Sequence, residues 1–274
     1  MSDCNHDCSN CAKKKEGGCG DPASFLVPQN ARSNIKKVIA VMSGKGGVGK
    51  SMVTELLAVG AAKRGKRVAI LDADITGPSI PTAFGVTERA LAGGETGILP
   101  CRSAAGIGMM SLNLLVDNPA DPVVWRGPVI AGAVKQFWSD VSWGDVDIMF
   151  VDMPPGTGDV PLTVFQSLPI SGVVVVTSPQ DLVKLIVEKA VRMADMMKKP
   201  IVGLVENMSS FKCPDCGKVH EIFGRSKADV LAAMHGIEHV AKLPIDPQLA
   251  ELVDKGEIEA ADTSALDEIL DALV

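Results

Sequence analysis

The chain has 274 residues, of which 46% are hydrophobic and 22% charged, and its formal net charge is −6. Aromatic residues make up 4% and tyrosine is absent, which argues against nucleic acid held by base stacking, and the acidic balance argues against broad electrostatic binding to DNA or anionic lipid. No apolar run reaches the ~18 residues needed to span a bilayer, and the N-terminal MSDCNHDCSNCAKKK lacks the apolar stretch of a signal peptide, so a cytoplasmic protein with no membrane partner is expected.

Residues 1–34 differ from the rest. They are polar, rich in Gly and Lys, and have no apolar period. They hold Cys4, Cys8, Cys11 and Cys19, four of the seven cysteines. Cytosolic thiols stay reduced, so clustered cysteines there bind metal more often than they form disulfides. Residues 1–34 are therefore expected to be a metal-binding extension, with DPASFLVPQNARSNI as a linker, ahead of a single domain over 35–274.

The domain opens on KKVIAVMSG, a continuous apolar run that suits a strand buried on both faces. Similar runs follow at 67–74, 106–115, 147–154, 171–179, 200–208 and 239–246. Helical patterns lie between many of them, among them Ser51–Arg64 stopped by Gly65, Val129–Ser139, Asp181–Lys198 stopped by Pro200, and Leu266–Leu273. The alternation predicts an α/β fold, a doubly wound and mostly parallel sheet with helices on both faces.

After the first strand comes GKGGVGKS. Gly44, Lys45, Gly46, Gly47, Val48, Gly49, Lys50 and Ser51 fit the pattern Gly-x4-Gly-Lys-Ser. The glycines let backbone N–H groups face a phosphate, and the following helix adds its positive N-terminal end. Lys50 is expected to reach the β- and γ-phosphates of ATP, and the Ser51 hydroxyl to bind Mg²⁺. LDADITGPS places Asp72 and Asp74 at one strand end, and VDMPPGTGD places Asp152 at another. Ligands of doubly wound sheets bind at such ends, so Asp152 is expected to hold Mg²⁺ through water. The Gly156 amide, behind two prolines, is placed to sense the γ-phosphate. The alternative for these acids is helix capping, which suits Asp72 better than Asp74 or Asp152. Lys45 is unneeded by a simple phosphate loop, and a long cation there can reach a nucleotide in another subunit; the alternative is a solvated surface lysine.

Cys213 and Cys216 sit in KCPDCG. This turn aims two sulfurs at one point, whereas zinc and iron–sulfur clusters want four ligands. The same turn is how a zinc knuckle looks, but an intrachain zinc site needs a second pair. His220 supplies one residue at most, and Cys101 is distant in sequence and reads as a lone buried or loop thiol.

KGGVGKS resembles the deviant Walker A motif of the MinD/ParA/nitrogenase-iron-protein class. The resemblance implies that Lys45 crosses a dimer interface to the partner's phosphate, that Asp74 orients the attacking water, and that Asn207 contacts adenine. This chain has Ser51-Met52 where the class has a second hydroxyl, so an α-phosphate contact is missing and slow turnover is expected. WRGP, WGDVDIMFVDMPPGTGD, SPQDL, VENMSSFKCPDCG and EIFG resemble the Mrp/ApbC family of iron–sulfur cluster carrier ATPases over roughly residues 35–255. After Phe223-Gly224 the family has a Gly-rich turn, and this chain has RSKAD.

That resemblance implies a homodimer in which Cys213 and Cys216 of both copies hold one [4Fe–4S] cluster for delivery to apo iron–sulfur proteins, with ATP across the same interface. The spacing Cys4-x3-Cys8-x2-Cys11-x7-Cys19 resembles the four-cysteine extension of the eukaryotic cytosolic scaffold branch, with a shorter first gap. It can close a cluster within one chain; His6 is an alternative ligand, and a zinc-binding or free tail the alternative reading. Two rival functions stand beside the carrier. A MinD/ParA-like positioning ATPase with a structural zinc knuckle needs a basic amphipathic C-terminal helix or basic DNA-facing patches, and this chain ends in acidic ADTSALDEILDALV. A nitrogenase-iron-protein-like reductase draws its bridging cysteines from other loops.

Overall fold

The computed structural model describes residues 25–75, 79–94, 97–116, 127–180 and 183–274. The expected metal site at Cys4, Cys8, Cys11 and Cys19 lies outside the described residues, as do Trp125 and Arg126 of the WRGP motif.

In chain order the strands are β1 (Ser33–Ile35), β2 (Val38–Ser43), β3 (Val68–Asp72), β4 (Cys101–Arg102), β5 (Gly108–Met110), β6 (Gly144–Val146), β7 (Ile148–Asp152), β8 (Gly172–Thr177), β9 (Ile201–Glu206), β10 (Phe211–Lys212), β11 (Val219–His220) and β12 (Val240–Lys242). The α-helices are α1 (Lys50–Lys63), α2 (Ile80–Ala83), α3 (Gly127–Ser139), α4 (Asp159–Ser167), α5 (Val183–Met196), α6 (Ala228–His235), α7 (Pro247–Lys255) and α8 (Asp267–Leu273). Eight strands form one sheet in the order β12-β9-β8-β2-β7-β3-β5-β4, and every pairing but β4–β5 is parallel. The doubly wound α/β expectation therefore holds.

All six residues of β2 are buried. Val38, Ala40 and Met42 face a core shared with α3, α4, α5 and α6, while Ile39 and Val41 face one shared with α1, α2 and α8. A strand between two apolar layers has no polar face, which is why it reads as a continuous run. Two glycines let α8 approach closely. A Cβ on Gly60 would lie 2.4 Å from Leu270 Cδ1, and one on Gly203 2.9 Å from Ile269.

Three features depart from the sequence reading. The described part of the linker is docked: β1 pairs in parallel with β6, the Val27 N–H donates to the Ser167 carbonyl (2.8 Å), and Trp138 Nε1–H donates to the Val27 carbonyl (2.8 Å). The apolar run at 106–115 is strand only over Gly108–Met110, then turns into a short 3₁₀ helix, Leu112–Leu114. Four helices, α2, α4, α6 and α7, are not among the helical patterns named from the sequence. In α4 a Pro at the third position masks it, although the first turn of a helix tolerates that residue. In α7 the Asp246 carboxylate caps the Gln248 N–H at 2.9 Å, and Gly256 ends the helix in the left-handed region.

Candidate nucleotide site and thiol knuckle

Strands β2, β7 and β3 are neighbours, so their C-terminal ends bring the phosphate loop, Asp152 and the Asp72–Asp74 turn together. Gly47 and Gly49 have φ of +77° and +78°, which only glycine adopts freely, and the loop curls there into the N-terminus of α1. An open cavity of about 290 Å³ lies inside the curl, lined by Gly46, Gly47, Gly49, Lys50, Ser51 and Asp74.

Lys50 is turned inward. Its Nζ lies 2.6 Å from Asp152 Oδ1, 3.3 Å from Ser51 Oγ and 3.5 Å from Asp74 Oδ2. Asp152 is 1% exposed and also accepts from Ser51 Oγ at 2.6 Å and from Thr54 Oγ1 at 2.9 Å. Hard oxygen donors from Ser51 and Asp152 thus converge on one point, a set suited to Mg²⁺. Behind them lie two more buried acids. Burial, with the Asp152 charge second, pushes Asp72 up to about 8 against the opposing Ser111 hydrogen bond and Lys50 charge. Ser111 Oγ donates to Asp72 Oδ2 at 2.8 Å, and the Asp74 N–H donates to Asp72 Oδ1 at 3.1 Å. Burial also raises Glu55 well above the usual carboxylate range, helped by the charges of Asp152 and Asp72. One buried lysine faces an excess of acid, an imbalance that an added cation relieves.

The other expected residues are placed as follows. Lys45 Nζ donates to Gln180 Oε1 at the surface. The Gly156 N–H, expected at the γ-phosphate, donates to the Ser43 carbonyl at 2.9 Å, so that turn must open before it meets a ligand. Asn207, expected at adenine, is 1% exposed, and its Nδ2 donates to the Val48 carbonyl at 2.9 Å. Met52 lines the cavity with a thioether where the class has a hydroxyl. Sequence reasoning misses Thr54, Ser111 and Glu55. Of these Thr54 is the accessible one, since position i+4 from Lys50 shares its helix face. Ser111 reaches Asp72 only because β5 pairs with β3.

Cys213 and Cys216 cap the antiparallel hairpin of β10 and β11. The Cys213 N–H donates to Lys218 O and the Gly217 N–H to Cys213 O, both at 2.9 Å. The backbone N–H groups of Cys216 and then Asp215, followed by the Cys216 side chain, lower the Cys213 thiol below its ordinary value. N–H groups aimed at sulfur favour the thiolate, the form that binds metal. Cys216 is exposed. Among the described residues no group of three or more His, Cys, Asp or Glu could close a metal site. Cys101 lies on β4, the opposite edge of the sheet from β9 and β12.

A model of the "ParA: NUBPL iron-transfer P-loop NTPase" family matches residues 34–274. The chain is 44% identical over 262 residues to an "Iron-sulfur cluster carrier protein" of Methanocaldococcus jannaschii, covering 93% of this chain and 90% of that one. Among solved structures, a nucleotide-binding protein of Archaeoglobus fulgidus in complex with ADP has a TM-score of 0.76 at 44% identity, covering 85% of this chain and 91% of that one. The cell division ATPase MinD of Pyrococcus furiosus shares the fold at a TM-score of 0.61 and 19% identity, over 86% of this chain and 97% of that one. With the phosphate loop, the acidic strand ends and the thiol knuckle in one chain, these matches place it in the ParA-type NUBPL iron-transfer P-loop NTPase family.

Proposed function

We propose that this chain is a homodimeric, ATP-dependent scaffold and carrier that assembles a [4Fe–4S] cluster and transfers it to apo iron–sulfur proteins. The observation that carries the reading is a knuckle with two sulfurs, thiolate-favouring backbone donors and, among the described residues, no third ligand. It sits in the same chain as a phosphate loop whose Ser51 and Asp152 oxygens converge. A two-fold axis that pairs two such knuckles supplies four thiolates. Cys4, Cys8, Cys11 and Cys19 are proposed to hold a second cluster. Reduced thiols of this kind fit a cytoplasmic setting.

ATP would draw Lys50 from Asp152 onto the β- and γ-phosphates, leaving Asp152 and Ser51 for Mg²⁺, which supplies charge neutralisation on the phosphate oxygens. Asp74 accepts a hydrogen bond from the attacking water and aims it at the γ-phosphorus. The new P–O bond forms as the bridging P–O bond breaks, ADP leaves with the bridging oxygen, and the water's proton ends on phosphate. Lys45 leaves Gln180 to touch the partner's nucleotide, so closure requires both copies. With Met52 in place of a hydroxyl donor, turnover is slow. An exposed cluster at a closable interface is easily given away.

The test uses Lys45→Ala and Lys50→Ala at matched cluster loading, with an apo-protein acceptor whose activity reports on transfer. Both variants should load a cluster and deliver it poorly. Undiminished delivery by both would remove ATP from the account.

A further inference from the structure

The Cys-x-x-Cys hairpin is rooted five residues beyond β9, and the last residue of that strand and the next one tie both ends of the hairpin segment down. Asn207 holds the near end. Its Nδ2 donates to the Val48 carbonyl (2.9 Å), its Oδ1 accepts the Met208 N–H (2.9 Å), and its own N–H donates to Thr177 O (2.8 Å). Both ends of this buried amide are therefore engaged, one on the phosphate loop and one on the hairpin's root. Contact with the loop is tight, since a Cβ on Gly49 would lie 2.2 Å from Nδ2. Glu206 holds the far end: its Oε2 accepts the Lys227 N–H at the start of α6, at a long 3.3 Å. Glu206 Oε1 and the buried Ser226 Oγ have no hydrogen-bond partner, so the latch closing the segment is incompletely bonded.

The geometry points to Asn207 as a positioning residue that transmits the state of the phosphate loop to the Cys-x-x-Cys hairpin. A trans peptide is planar, and its C=O and N–H point opposite ways. Val48 O and Gly49 N–H belong to one peptide. Holding the carbonyl toward Asn207 therefore turns the Gly49 N–H away from Asn207, and Gly49 lines the phosphate cavity. A phosphate that reorients this peptide must move or release the Asn207 amide. The other end of that amide stabilises Met208, which has φ +58°, one of two non-glycine residues with positive φ among those described. Left-handed backbone is costly for a side chain without local support. Losing the Oδ1 bond frees Met208 to change region, and that shifts the root of the segment carrying Cys213 and Cys216 against the chain after β12, where the Ser209 N–H and Oγ both donate to Leu243 O (2.9 Å each) and the Ile245 N–H donates to Ser210 O (2.7 Å). The weak closure at Glu206 lets its far end follow.

This inference rests on the proposed nucleotide site but is read without a cluster. Site-resolved alkylation of Cys213 and Cys216 in apo-protein, followed by mass spectrometry with and without saturating Mg²⁺–ADP, reports on the hairpin directly. The wild-type rate should change at least about threefold on nucleotide binding, a factor worth under 1 kcal/mol. Asn207→Ala should bring the ratio to one at nucleotide concentrations that saturate the variant. Met208→Gly, which removes the left-handed cost and leaves the loop contact intact, should flatten the ratio as well and covers a failure of the alanine variant to fold. A wild-type ratio in Asn207→Ala or Met208→Gly, or a wild type that ignores nucleotide, overturns the inference. Cluster loading on Cys213 and Cys216, measured separately, decides the carrier reading.

Discussion

Asp72 is the buried acid whose removal should reveal how the site is built. It is 1% exposed, and burial with the Asp152 charge raises it to about 8 from an ordinary 3.8. An acid with a raised folded pKa binds more protons folded than unfolded, so it lowers stability increasingly as pH climbs from about 4 to about 8, then by a constant amount. About three pH units lie between its ordinary value and pH 7, and at about 1.4 kcal/mol each they set a ceiling near 4 kcal/mol on the destabilisation there. Asp72→Asn abolishes that term, but its single amide oxygen can accept only one of the two bonds that the carboxylate takes, from Ser111 Oγ and the Asp74 N–H, and its NH₂ must donate where the other oxygen accepted, for about 1 kcal/mol. The variant should therefore be at most slightly more stable than wild type at pH 5, about one unit above the acid's ordinary value, and clearly more stable at pH 8. At roughly 2–4 °C per kcal/mol, the difference in melting temperature between variant and wild type should grow by at least about 4 °C between those pH values. Melting in nucleotide-free buffer measures it. Parallel curves across pH would show that Asp72 is not held protonated by its neighbours and would refute the reasoning.

Gly49→Ala puts a Cβ on a left-handed residue and against Asn207, so it should raise the dissociation constant for ADP at least about tenfold and destabilise by about 2–3 kcal/mol, checked by calorimetric titration and thermal melting. Gly203→Ala presses on Ile269 and should lower the melting temperature by several degrees, about 1–3 kcal/mol of overpacking, with nucleotide affinity unchanged. Lys45→Ala should bind ADP in a single copy as wild type does, because the Lys45 amine points to Gln180 at the surface and Lys50 serves the cavity, yet lose ATP-dependent closure and cluster delivery in a transfer assay.

The phosphate loop was legible because its function is local: a strand, a glycine-rich curl and a helix start are contiguous, and their residue types follow from phosphate chemistry. Asp152 and Asp74 were legible because strand ends of a parallel sheet share one edge. The bonds that organise these groups were not. Ser111 meets Asp72, and Asn207 meets Val48, across 39 and 159 residues of sequence, through strand pairings that no local pattern encodes. The docking of Val27 on Ser167 and Trp138 is hidden in the same way, since a short extended segment has no period of its own. Helix α8 buries Ile269, Leu270 and Leu273 in the core, so its apolar face is already engaged. The hairpin at Cys213 and Cys216 was legible as a two-sulfur turn. Its further ligands were not, and among the described residues no group of three or more His, Cys, Asp or Glu completes the site.

The central claim is that two chains share one cluster through Cys213 and Cys216. Its most direct test is iron, acid-labile sulfide and zinc per chain after anaerobic reconstitution, with mass by light scattering, for wild type, a deletion of residues 1–20, and Cys213→Ala/Cys216→Ala. The account predicts that the deleted protein keeps about two irons and two sulfides per chain as a dimer, and that the same deletion carrying both alanines loses them. Zinc in their place, or iron indifferent to both alanines, would contradict it and make the pair a structural knuckle on a positioning-type ATPase.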